Sequence, residues 1–485
     1  AEPTARLSAV AELRGVLSIG ASPPIQALID GGACSVLVAC LDDASPAVQF
    51  EAAWAITNIT SGTTAQTLAI LEAGAAESSF RLLASSQICD RAELCEQCLS
   101  ALGNIAGDDD VRPRDRLLEG AVVGHLGNLF ERIPGFSWDL HGRVRVLRSL
   151  TRLMSNLCRG QPAPALEDVD CAFDYFVQVL LGTDDTEMLA DALLGLCCLL
   201  DGAADDAEAG RRAGRMLSAG LAPGTPSPAP HPLVSKVVDC FRRAGGTPCP
   251  ALRLLGALVS VPAEQPADAV LSAGAVHALH GALLDARSTP RALRDVAFAV
   301  SNVMAGTAAQ VQRALEVKGL PEAVCRLLEK GPGSELRHEC AWAVANVARR
   351  GSKALAQLDT RRLLFALNLA VKVEVEVPLL CALLDASEAL LHFGEEQAVA
   401  KGLSKNCLAA YAEDIGLPEE AERLQHAMEE PVYRRAVRVL EALSRVTADR
   451  ENEPPEEKTP KKDGPVPSAI CGGSPIRPAA YKFGA

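Results

Sequence analysis

The sequence predicts an all-α fold assembled as a solenoid of repeats, and three observations predict it. Hydrophobic residues make up 48% of the 485-residue chain but aromatic residues only 4%, so Ala and Leu must build the core, as they do in packed helices. Runs of β-branched residues are few, which disfavours a sheet. One unit also recurs along the chain: an apolar helix ending in Ala-Gly or a similar turn, a helix with Leu-Leu, a polar break, then a long helix.

The unit is visible in "LEAGAAESSFRLLASSQ", "LSAGAVHALHGALLDARS" and "LEVKGLPEAVCRLLEKGPGS". Asparagines close the long helices at Asn58, Asn104, Asn156, Asn302 and Asn346. Intervals of 46 and 52 residues separate the first three and 44 the last two, a period of two- or three-helix solenoid repeats. Residues 186–202 and 248–260 supply units without the asparagine. Residues 108–115 read as a charged turn and 224–232 as a Pro-rich loop. From about 449 to 485 hydrophobic content is too low to pack, so the expectation is a disordered tail behind one quasi-continuous domain over 1–448.

Charge and composition narrow the function classes. Asp and Glu number 61 against 47 Lys and Arg, a net charge of −14, which argues against a nucleic-acid binder and suits basic partners. A diffuse acidic surface serving solubility is the plainer account of the same number. No stretch reads as a signal peptide or a membrane span, the apolar run "MLADALLGLCCLL" being too short for one. The 16 cysteines are scattered through helical patterns as small apolar fillers suited to a reducing compartment. Cys89, Cys95 and Cys98 lie closest together but lack a second ligand pair, so no metal and no cofactor are expected. Gly-rich phosphate loops, nucleophile elbows and metal pairs are not found, and His125, His141 and His392 stand singly, so an enzyme is not expected.

In "EAAWAITNITSG" at 51–62, Trp54 and Asn58 lie four residues apart, one above the other on a helix face. A lone pair of this kind is usually core plus cap. Repeated at equivalent positions of a solenoid's last helices, it becomes a ladder along one inner surface. Each carboxamide offers a donor and an acceptor to the main chain of an extended peptide. Aromatic walls between rungs make slots for aliphatic stems, with cation–π attraction of about 0.5–2 kcal/mol for a charged head. The chemistry specified is recognition of a basic, extended peptide.

Several stretches resemble signatures of the importin-α family. They include "LRGVLSIGASPPIQALIDGG" at 13–32, "FEAAWAITNITSGTTAQT" at 50–67, "EQCLSALGNIAGDD" at 96–109 and "LMSNLCRG" at 153–160. Further along come "AVSNVMAGTAAQVQ" at 299–312, "HECAWAVANV" at 338–347, "LDASEALLHFGEE" at 384–396 and a long match over 410–443. The resemblance covers about residues 7–445. It implies an armadillo-repeat, right-handed superhelical solenoid of about ten repeats, acting as a nuclear import adaptor in cytoplasm and nucleus. The implied cargo is Lys/Arg-rich nuclear localisation signals, bound at a larger site in about 44–200 and a smaller one in about 250–350, with the last repeats at about 375–447.

Carried over residue by residue, the larger site comprises Trp54, Asn58, Asn104, Asn156 and a lysine pocket of Gly62, Thr67 and Asp108, with Asp191 as its second acid. Ser100 and Arg152 stand where the family has tryptophan, Leu194 where repeat five has one, and Cys198 replaces a tyrosine. The smaller site comprises Arg253, Asn302, Glu339, Trp342 and Asn346. There Phe298 replaces a tryptophan, Ala257 an asparagine, Pro266 a threonine and Val261 a glycine. These departures predict a working lysine pocket at Asp108 flanked by weak slots, or a retuned cargo. Only "AEPTAR" precedes the first helical pattern, so the family's Arg/Lys-rich segment that binds importin-β is expected to be absent. The family's export factor would dock on the last repeats. "KTPKK" at 458–462 is a short basic run in the tail. The competing reading is a divergent armadillo scaffold, adhesive, cytoskeletal or regulatory, that carries no import cargo.

Overall fold

Helices form every regular element among the described residues of the computed structural model, with no strand. The described residues are 3–20, 23–120, 122–221, 228–245, 247–403, 405–426 and 429–448. The expected tail from 449, its basic run at 458–462 and residues 224–227 of the Pro-rich loop lie outside them.

The chain divides into two units, Ala1–Ser227 and Pro228–Ala485. Among the described residues ten helices close successive repeats. In the first unit they are α1 (Pro3–Leu17), α2 (Pro46–Ile59), α3 (Ala92–Ala106), α4 (Leu140–Leu157) and α5 (Thr186–Asp201). In the second they are α6 (Pro250–Ser260), α7 (Pro290–Ala305), α8 (Ser334–Ala348), α9 (Val377–Ala400) and α10 (Glu430–Ala448). Within each unit every closing helix packs on the next. All five ladder asparagines fall in the last turns of closing helices, as the spacing predicts.

Two shorter helices precede a typical closing helix. Thr64–Glu72 and Ala75–Ala84 come before α3, and the chain reverses between them at Gly74, whose φ is 93°. Gly274 and Gly319 make the same turn in the second unit at φ 72° and 87°, a region that costs glycine little and other residues more. The closing helices α4 and α5 start on side-chain caps. The Asp139 carboxylate accepts from the Gly142 N–H at 2.7 Å and the Asp185 carboxylate from the Met188 N–H at 3.1 Å, satisfying donors without an intrahelical partner.

The charged turn expected at 108–115 is only half a turn: a helix spans Val111–Leu118. Asp110 caps it by accepting from the Arg112 N–H at 2.9 Å. Pro113 falls in the first turn, where its missing N–H takes no bond from the helix, so the proline does not break it.

Small side chains let the closing helices approach. Ala52, Ala55 and Ile59 of α2 and Leu99 and Leu102 of α3 are fully buried. Gly195 of α5 lies against the Phe176 ring, where a Cβ would collide with it. Cys95 and Cys98 are buried in α3, and burial pushes the Cys98 thiol up to about 12, away from the reactive thiolate. Val377–Ala400 is long and apolar enough to span a bilayer by length and composition, unlike the shorter runs the sequence brings forward. Its apolar window is 67% buried within the protein.

Candidate peptide-binding face

The ladder asparagines are tied rung to rung. The Asn104 amide nitrogen donates to the Thr57 carbonyl at 3.2 Å, Asn156 to the Gly103 carbonyl at 2.9 Å and Asn346 to the Ser301 carbonyl at 3.0 Å. Each acceptor lies one residue before the ladder asparagine of the preceding repeat. Asn58 and Asn302 follow repeats without that asparagine, and they donate to the hydroxyls of Ser18 and Ser260, both at 3.0 Å. All five are half-buried. One N–H of each amide thus holds neighbouring repeats together. No Oδ1 of the five takes a hydrogen bond among the described residues.

Trp54 is half-buried on α2, with Phe50 edge-on at 5.7 Å. Its face is already covered. The Arg14 guanidinium of α1 sits 4.1 Å from the ring centroid and pairs with Glu51. Cation–π contact and ion pair together hold Arg14 in the place a bound cation would take.

The expected lysine pocket comprises Gly62, Thr67 and Asp108. Gly62 is exposed. Thr67 is fully buried, and its hydroxyl has no hydrogen-bond partner among the described residues. Asp108 instead accepts from the Thr64 hydroxyl at 2.7 Å and from the Asp110 N–H at 3.0 Å. Both bonds fall on Oδ1, which orients the carboxylate. Thr64 is therefore the threonine that orients Asp108.

Ser100 of α3 faces Ser149 of α4, their hydroxyls 3.3 Å apart. Arg152 is exposed and makes no ion pair among the described residues. It lies within electrostatic reach of half-buried Asp191: burial raises that carboxyl above its ordinary value, Arg152 opposes the rise and Glu187 adds to it. Leu194 and Cys198 are half-buried beside Asp191 on α5.

The second unit's aromatic positions are more closed. Phe298 is 5% and Trp342 3% exposed, so neither stands as an open wall. The Trp342 indole N–H donates to His338 Nε2 at 3.2 Å, and His338 Nδ1 lies 3.2 Å from Glu374. Glu339 is 2% exposed, Pro266 is buried, and Arg253, Ala257 and Val261 are half-buried.

Sequence reasoning missed Arg14, Ser18, Thr64 and His338. Arg14 carried a signal, since it lies one repeat upstream of Trp54 at a matching helix position. Thr64 carried none, because Thr63, Thr64 and Thr67 lie close together in sequence and only the fold selects among them.

Residues 21–61 match the model of the Armadillo/beta-catenin-like repeat. Over 241 residues the chain is 35% identical to importin subunit alpha-1b of Oryza sativa subsp. japonica, covering 50% of this chain and 41% of the relative. Over 202 residues it is 39% identical to importin subunit alpha-2 of Arabidopsis thaliana, covering 41% and 35%. Over 309 residues it is 30% identical to importin subunit alpha-1a of Oryza sativa subsp. japonica, covering 63% and 52%. The chain therefore spans 35–52% of these relatives' lengths. Among solved structures it matches an engineered protein with a TM-score of 0.69 at 23% identity, covering 90% of this chain and 95% of that one. The fold is an all-α armadillo-repeat solenoid, similar to importin α subunits in sequence.

Proposed function

We propose that this importin-α-like armadillo chain is an adaptor that binds Lys/Arg-rich nuclear localisation signals as extended peptides and works between cytoplasm and nucleus. The larger site is the face of α2 to α5, within residues 44–200, and the smaller site the face of α6 to α8, within 250–350. One observation carries the reading. Asn58, Asn104 and Asn156 are anchored through their amide nitrogens to the preceding repeat, while each Oδ1 takes no bond among the described residues. An acceptor fixed at one-repeat intervals suits the N–H groups of an outstretched main chain. Asp108, oriented by Thr64, and Asp191 supply negative charge beside the rungs. The relatives' names support the same reading.

A second reading, a scaffold that carries no import cargo, is favoured by Arg14 on Trp54 and by the buried state of Trp342 and Phe298. Titrating a labelled lysine-rich signal peptide into the full chain at several salt concentrations separates the two. The adaptor reading expects saturable binding that weakens with salt. Absence of saturable binding even at low salt would leave the scaffold reading.

A further inference from the structure

The fourth closing helix of the first unit, α4, carries a row of arginines on the face that bears the ladder. Arg145, Arg148 and Arg152 recur at intervals of three and four residues ahead of Asn156 on α4, and Arg159 follows three residues later. Neighbouring repeats neutralise two of them. Arg145 pairs with Glu96 of α3 at 2.9 Å, and Arg148 pairs with Asp185 at 2.7 Å and with Glu187 of α5 at 3.0 Å. Arg159 is exposed and donates to the Gly107 carbonyl at 3.0 Å.

What remains along the ladder is an alternation of charge. Asp108 follows α3, Arg152 projects exposed from α4 without an ion pair among the described residues, and Asp191 lies on α5. A uniformly basic peptide laid across these helices would meet attraction, repulsion and attraction in turn. Ser100 and Leu194, on either side, offer no aromatic wall to hold a cation there.

We propose that the first unit selects a charge-patterned signal, with basic side chains toward Asp108 and Asp191 and a carboxylate on the residue over Arg152. The proposal rests on the basic-peptide reading above and narrows its ligand class. Arg152 acts as the specificity-determining residue. A glutamate or aspartate on the peptide would give Arg152 the ion pair that it lacks among the described residues.

Three labelled peptides of equal length test this, with lysine clusters at both ends and Lys, Ala or Glu between them. Each is titrated into the full chain and into Arg152→Ser and Arg152→Glu at low and physiological salt. In the wild type the Glu-centred peptide is expected to bind about five- to tenfold tighter than the Lys-centred one, the sum of a gained attraction and a lost repulsion between partly solvated charges. Arg152→Ser should erase the preference and Arg152→Glu reverse it. Arg152 is exposed, so both variants should keep the wild-type circular dichroism. A Lys-centred peptide that binds as tightly as the Glu-centred one overturns the proposal and leaves the basic-peptide reading standing. An unchanged ranking in the variants does the same. No binding by any of the three overturns both.

Discussion

Arg14 and Trp54 form an internal cation–π pair across successive repeats, the guanidinium 4.1 Å from the ring centroid. Arg14 also pairs with Glu51, so one side chain occupies both the aromatic wall and a carboxylate next to it. A ligand cation that uses Trp54 must first displace Arg14. Arg14→Ala should therefore tighten binding of a lysine-rich peptide by on the order of 0.5–2 kcal/mol, the contribution of a cation over an indole. Fluorescence polarisation checks it. Unchanged affinity would mean that Trp54 takes no part in binding.

Asn104 and Asn156 have a structural duty independent of any ligand. Each donates to a carbonyl in the last turn of the preceding closing helix, at 3.2 and 2.9 Å. Asn104→Ala and Asn156→Ala should each lower stability by about 1 kcal/mol, the net value of one such bond. Urea unfolding without peptide measures it. Full retention of stability would show that the amides are not part of the repeat-to-repeat joint.

Asp108 is held by Thr64 and the Asp110 N–H through one carboxylate oxygen. Asp108→Asn preserves an oxygen acceptor and removes only the charge. Stability should change by less than about 0.5 kcal/mol, while lysine-peptide affinity should drop about three- to tenfold, the scale of a partly screened ion pair. Equal affinity at low salt would remove Asp108 from the site.

His338 gives the second unit a pH dependence. The hydrogen bond with Glu374 raises the His338 pKa above its ordinary value; burial opposes this, and the charges of Glu374, Glu376 and Glu339 add to the rise. For Glu374, burial alone would raise the pKa, but the bonds from His338 and from the N–H groups of Glu376 and Val375 lower it overall. The imidazolium therefore stabilises the fold fully below the unfolded histidine pKa, and that contribution is lost as pH rises through the higher folded value. Its partner's contribution is present above the ordinary glutamate pKa and lost as pH falls through the lowered one. Protonated His338 has no lone pair for the Trp342 N–H now bonded to it at 3.2 Å. Trp342 emission should shift as pH falls through the His338 titration, and His338→Gln should abolish the shift. A shift that persists in His338→Gln would point to another group.

The repeat architecture was legible because a solenoid writes its period into the chain. Intervals of 46 and 52 residues between Asn58, Asn104 and Asn156, and glycine turns such as Gly74, are local signals that need no tertiary information. The helix at Val111–Leu118 was not legible. Its charged first turn and proline look like a loop until Asp110 caps it. The candidate site was read in part. Equivalent helix positions placed the asparagines on one face, yet the use of each amide nitrogen inside the fold depends on the distance between repeats, which no spacing encodes. The same holds for Arg14 over Trp54 and for Thr64 beside Asp108. Side-chain choices across a repeat interface are settled by packing.

A crystal structure of the chain with a lysine-rich peptide tests the proposed function most directly. The expected result is an extended peptide on the face of α2 to α4, its main-chain N–H groups about 2.9 Å from Oδ1 of Asn58, Asn104 and Asn156. A peptide seated elsewhere, or one that leaves those three oxygens without its N–H groups, would contradict the account.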